Sequence, residues 1–189
     1  MKVIRNIVSQ LHIYIIWLIL SALIWGWIFT FITDTVPSKK VTIFTDTYAC
    51  RDTELAVRLE EDRPQGIKMI KVHPFSYAMF DDSVLLNADI YIIKKEDIET
   101  YMSSFCAIDG AVPQETEAFY LDGKAYGLKV YDATTGVGVA LDYLTYTAEG
   151  TLDQDYYLFF NKNSVHIKSL NGSTDDAALA VAERLMHID

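Results

Sequence analysis

His73 stands directly before Pro74 at the end of an alternating apolar–lysine run. A histidine at the end of a strand could serve as a general base or a metal ligand. The other histidines are His12, inside a long apolar run, His166, and His187, two residues from the end of the sequence. No G-x-S-x-G, H-E-x-x-H or P-loop spacing accompanies them. Asp81-Asp82 and Asp175-Asp176 are paired acids of the kind that cap helices. Asp153-Gln154-Asp155 has two acids at alternate positions but lacks the glycine and distal glutamate of a calcium loop. Cys50 and Cys106, the only cysteines, could pair outside a cell, while no CxxC or His–Cys cluster supports a metal site. These residues make no positive case for catalysis, so neither an enzyme nor a cofactor is expected.

The elements that must position such residues divide sharply. Leu11–Ile32 (LHIYIIWLILSALIWGWIFTFI) contains no Asp, Glu, Lys or Arg. As a helix it would reach about 33 Å, enough for a hydrocarbon core of about 30 Å. Trp17, Trp25 and Trp27 lie in or near its ends, where indoles favour the lipid–water boundary. The run exceeds the apolar part of a cleaved leader, about 7–15 residues, and bulky residues follow it where a peptidase wants small ones. It therefore reads as an uncleaved, single-pass signal anchor. Lys2 and Arg5 on one side nearly balance Lys39 and Lys40 on the other, so basic charge alone leaves the topology open. The short basic tail ahead of the run favours an amino terminus inside and the rest of the chain outside.

The expected organisation is thus a basic tail at 1–10, a transmembrane helix at 11–33, a linker at 34–40 and an extracytoplasmic α/β domain at 41–189. The first 33 residues hold two of the 16 basic residues and none of the 26 acidic ones, so the remainder stands at −12. That balance argues against nucleic acid and against broad contact with anionic lipid heads.

Within the domain, Val41–Asp46 (VTIFTD) reads as a buried strand and Asp52–Arg63 as an amphipathic helix presenting Leu55, Ala56 and Leu59. Ile67–Val72 reads as a half-buried strand, Asp81–Asn87 as a short helix, Ala88–Ile93 as a strand and Lys94–Phe105 as a helix. Asp122-Gly123, between apolar runs, marks a two-residue hairpin over Ala118–Val130. Gly136–Thr147 and Tyr156–Asn161 read as strands, and Asp175–His187 as a closing helix. The order predicts a three-layer α/β domain with a mixed, largely parallel sheet.

In such a sheet, ligands gather at the carboxyl ends of the strands. That rim holds Thr45, Asp46, Thr47 and Tyr48 after the first strand, His73 and Phe75 after the second, and Lys94 after the third. Tyr126, Tyr143 and Tyr146 could add stacking surfaces. The mixture of hydroxyls, an acid and aromatic faces suits a small polar solute or sugar. Each residue also has a plainer role, since Thr and Asp cap helices and Tyr favours strands.

Three segments carry a resemblance. Ala88–Ile93 (ADIYII) resembles a strand of the extracellular solute-binding proteins of ABC transporters. Asp122–Leu128 (DGKAYGL) resembles their "DGKxYGxP" hairpin, with Leu128-Lys129 in place of its ending. Tyr157–Ser164 (YLFFNKNS) before the closing helix resembles a third segment. The resemblance implies a lobe of the type 2 periplasmic-binding-like fold, shortened relative to a family that closes two lobes on its ligand. It implies a membrane-anchored, non-catalytic module on a bacterial surface that binds a ligand or partner, such as a permease, for an ABC-type transporter. The alternatives are a protein-interaction module of a membrane complex, without small-molecule ligand, and more remotely a cell-surface enzyme.

Overall fold

Lys40–Thr45 (β1) is a run of β-branched and aromatic residues buried on both faces, as the interior of a layered α/β sheet requires. In the computed structural model, the described residues are 2–33, 35–74, 87–108, 117–148, 150 and 154–188; within the first helix, side chains are described for Leu11 and residues 13–29. The chain forms two units, Met1–Val36 and Pro37–Asp189.

The first unit is built on one continuous helix of 32 residues, Lys2–Thr33 (α1). Trp17, Leu18, Leu23, Trp25 and Trp27 are each 62–70% exposed. Among the described residues no helix is long and apolar enough to cross a membrane. The transmembrane reading of Leu11–Ile32 is thus not supported by the described residues.

The second unit is α/β. After β1 come Ala49–Cys50 (β2), the helix Asp52–Glu60 (α2), Met69–Pro74 (β3) and Ile90–Lys94 (β4). Ala118–Leu121 (β5), Lys124–Tyr131 (β6), Leu144–Thr145 (β7), Tyr156–Phe160 (β8) and the helix Ala177–Leu185 (α3) follow. Six strands form one sheet in the order β3-β1-β4-β8-β6-β5, while β2 and β7 pair separately. The pairings of β1 with β3 and with β4 are parallel. Those of β4 with β8, β8 with β6 and β6 with β5 are antiparallel. The sheet is therefore mixed and only partly parallel, which corrects the largely parallel expectation. Its second half is joined by a tight hairpin and reversed strands rather than by helical crossovers.

Each face of the sheet has its own core. Val41, Ile43, Ile90, Ile92 and Leu158 pack with Leu55 and Leu59 of α2 and Val181 and Leu185 of α3. Phe44, Tyr91, Ile93, Tyr157 and Phe159 pack with Ile98 and Phe105 on the other face. The odd–even split along each strand is the two-residue side-chain period of a pleated sheet.

Two expected elements change form. Lys94–Phe105 is not one helix: Lys94 ends β4, and a single helical turn, Ile98–Tyr101, lies between 3-10 turns at Lys95–Asp97 and Met102–Ser104. Of Gly136–Thr147 only Leu144–Thr145 is strand. The Asp132 carboxylate accepts the N–H groups of Thr134 and Thr135, and the Ala140 carbonyl accepts those of Tyr143 and Leu144, so the backbone turns there. Gly136 (φ +71°) and Ala140 (φ +49°) are left-handed, which breaks an extended run. Tyr146 stacks on Tyr131 with ring centroids 4.6 Å apart, so its aromatic surface is spent on the core. The Asp81–Asn87 helix and the Asp81-Asp82 pair lie outside the described residues, except for Asn87. Cys50 and Cys106 are both free thiols.

Candidate functional site

The parallel pairings of β1 bring the end of that strand beside the end of β4. The Asp46 N–H donates to the Ile92 carbonyl at 2.9 Å, fixing the first residue beyond β1. Thr45 and Thr47 are buried and spend their hydroxyls on each other, 2.9 Å apart, and on the turn, where Thr47 donates to the Ala49 carbonyl. Tyr48 is 66% exposed. Thr45 and Thr47 thus hold the turn that presents Asp46.

Lys94 extends its ammonium into a set of carboxylates. It lies 4.0 Å from Asp46 Oδ2, 3.0 Å from Glu96 Oε1 and 3.2 Å from Asp97 Oδ2. Gln154 joins from the start of β8, its Nε2 donating to Glu96 Oε2 at 2.6 Å. One positive charge faces three negative ones. Burial pushes the Asp46 carboxyl up to about 7, outweighing the opposing pull of Lys94; a hydrogen bond with Asp97 and the charges on Asp97 and Glu96 add to the rise. Burial pulls the Lys94 ammonium down, but Glu96, Asp46 and Asp97 together drive it above its usual range.

Two buried side-chain atoms of this cluster, Asp46 Oδ2 and Gln154 Oε1, have no hydrogen-bond partner among the described residues. Both are acceptors. Buried acceptors normally find a donor, so this pair singles the cluster out. Beside it is an open cavity of about 480 Å3 lined by Lys95, Glu96, Thr134, Gln154 and Asp155. Among the described residues no group of three or more His, Cys, Asp or Glu is placed to hold a metal ion.

The remaining rim residues lie elsewhere. His73 pairs with Phe44 in the sheet register and lines a different cavity, about 450 Å3, together with Thr42, Asp89, Asn161 and Ser164. Tyr126 is at the opposite end of β6 from the rim and packs against the aromatic core. Tyr143 packs against the other core, and Tyr146 is buried, donating to the Val139 carbonyl at 3.0 Å. Phe75 lies outside the described residues.

Sequence reasoning passed over a buried polar network at the amino end of β4. Asp89 accepts the Thr42 N–H at 2.8 Å and the Ser164 hydroxyl at 2.6 Å. Burial raises its carboxyl despite those two donors. Asn161 donates to the Ala88 carbonyl at 2.7 Å and to the Tyr91 hydroxyl at 3.1 Å. His166 is fully buried, its ring 2.8 Å from Asp175 and 3.0 Å from the Pro37 carbonyl. The available signal was polar residues placed directly against apolar strands, Asp89 before β4 and Asn161 after β8.

No protein-family model matches the chain, and no match is found among curated proteins or solved structures.

Proposed function

We propose that the chain is a membrane-tethered, extracytoplasmic, non-catalytic binding module of the solute-binding-protein type, serving an ABC-type transporter. α1 is its single-pass anchor, and the rim around Asp46, Lys94 and Gln154 is its contact surface for a small polar solute. The observation that carries the reading is the pair of unpartnered buried acceptors, Asp46 Oδ2 and Gln154 Oε1, at the carboxyl end of the parallel strands. A solute bearing N–H or O–H donors would satisfy both. The anchor is supported by the exposed apolar side chains of α1, which water would solvate at a cost of about 25 cal/mol per Å2.

A second reading, contact with a membrane-protein partner and no solute, draws support from Tyr48, Val137 and Leu141. They follow β1 and β6, which run in the same direction, and are 66%, 68% and 52% exposed.

Thermal unfolding of the full chain in detergent, screened against sugars, amino acids and short peptides, separates the two. One solute at about 100 times its Kd should raise Tm by roughly 5–10 °C. Asp46→Ala should abolish that rise. Silence across the panel sinks the solute reading.

A further inference from the structure

His166 follows β8 in a loop pinned from several directions. Its own N–H donates to the Ser164 hydroxyl at 3.1 Å, and its carbonyl accepts the Ala178 N–H of α3 at 3.0 Å. The ring lies between two groups that can only accept. Nδ1 is 2.8 Å from Asp175 Oδ1, which also accepts the Ala177 N–H at 3.0 Å. Nε2 is 3.0 Å from the backbone carbonyl of Pro37. A neutral imidazole has one N–H, so either tautomer would press a lone pair against an oxygen in a fully buried site. Turning the ring over would set Cδ2 and Cε1 against the two oxygens and lose both hydrogen bonds. Only the imidazolium donates to both.

Pro37 opens the folded unit, and the chain preceding it is the segment that leads from α1. From Pro37 a single 3-10 turn, Pro37–Lys39, delivers the chain into β1. That turn is held at its far end by the Lys68 N–H, which donates to the Lys39 carbonyl at 2.7 Å. Proline has no N–H of its own, so its carbonyl is the backbone group by which this end can be hydrogen-bonded.

We propose that protonated His166 is a clasp holding the Pro37–Lys39 turn in place where the folded unit begins, and that the clasp opens when the ring loses a proton. The charged groups facing the ring are Asp175, just ahead of α3, and Asp89, just ahead of β4. Burial pulls the imidazolium down, but the Pro37 carbonyl, the Asp175 hydrogen bond and both carboxylate charges raise it above its ordinary 6.5. A histidine with a raised folded value adds stability that is complete below 6.5 and disappears as the pH climbs through the folded value. The clasp is therefore closed below the ordinary 6.5 and opens as the pH climbs through the folded value. The inference does not depend on the solute site.

The test uses the full chain in detergent micelles. Nitrogen-15 NMR of the His166 ring should show protons on both nitrogens on the acid side of the transition, with a titration midpoint above 6.5. A midpoint at or below 6.5 overturns the proposal. Tryptic cleavage after Lys39, normalised to an unstructured reference peptide, should run about tenfold faster once the ring is deprotonated. His166→Gln should be fast at every pH and lose the pH response. If that variant does not fold, Asp175→Asn, which keeps the ring but weakens one partner, should shift the wild-type cleavage profile to lower pH. Wild-type cleavage after Lys39 that is the same in both protonation states also overturns the clasp.

Discussion

Asp46 shows how one carboxyl can set the pH behaviour of a whole rim. Ionised, its buried Oδ2 has no hydrogen-bond donor, and Lys94 at 4.0 Å is shared with Glu96 and Asp97. Protonated, it can donate to Asp97, which removes both the orphan and one negative charge. In the unfolded chain the group titrates at the ordinary 3.8, and in the fold at about 7. Between those values the folded state binds a proton that the unfolded state does not, so stability falls as the pH rises from about 4 to about 7. The full cost above that window is on the order of 2–4 kcal/mol. Asp46→Asn keeps the shape, supplies an N–H for Asp97 and removes the titration. Urea unfolding should find the variant more stable than wild type by that amount at pH 8 and nearly equal at pH 4. Because His166 is unchanged in both proteins, the difference isolates Asp46. A gap of the same size at both pH values would contradict the assignment.

At the scale of elements, the hairpin of β5 and β6 was written in local chemistry. Asp122 (φ +50°) and Gly123 (φ +78°) adopt the left-handed pair that a two-residue turn of this hand needs. A few residues on, Gly127 meets a different demand. A Cβ there would sit 2.6 Å from Cε1 of Phe159, a ring that is fully buried and stacked on Phe105 with centroids 4.2 Å apart. Alanine would gain up to about 1 kcal/mol of backbone entropy over glycine. The overpacked core should cost about 1–3 kcal/mol, so the clash wins. Chemical denaturation of Gly127→Ala should show that loss, and a cycle with Phe159→Leu should show coupling of at least about 0.5 kcal/mol. Additive effects would mean the ring moves aside freely. The same hairpin shows what the sequence could tell. Turn residues act on their neighbours, so β5, β6 and the strands β1, β4 and β8 were legible. Gly136–Thr147 was not, because Val139, Tyr143, Leu144 and Tyr146 reach the core from a turning backbone, while Val137 and Leu141 stay exposed. Asp46 and Lys94 could be placed at strand ends from the sequence because strand ends are local features. The Asp89 network was missed because its partners are remote: Thr42 is 47 positions away and Ser164 is 75.

For the molecule as a whole, the deciding term is where α1 resides. Trp17, Leu18, Leu23, Trp25 and Trp27 expose most of their surface, while the acidic residues all lie beyond residue 33. As the proposed anchor, α1 would remove that apolar surface from water by lying in lipid, with the acidic remainder in solution. The chain should therefore pellet with membranes and resist alkaline carbonate washing. An arginine at the centre of a spanning helix costs about 2.5–3.5 kcal/mol, so Leu20→Arg together with Leu23→Arg should withdraw about 5–7 kcal/mol from insertion. That loss should move the chain to the soluble fraction. Its folded unit should stay intact, because the described core on both sheet faces is built from residues within Pro37–Asp189. With the amino terminus inside, proteinase K added to intact cells should remove Pro37–Asp189. Lysis should be required for digestion if the orientation is reversed. Carbonate extraction of the wild-type chain would remove the anchor from the account, because a helix lying in lipid has no route out that leaves its leucines and tryptophans dry.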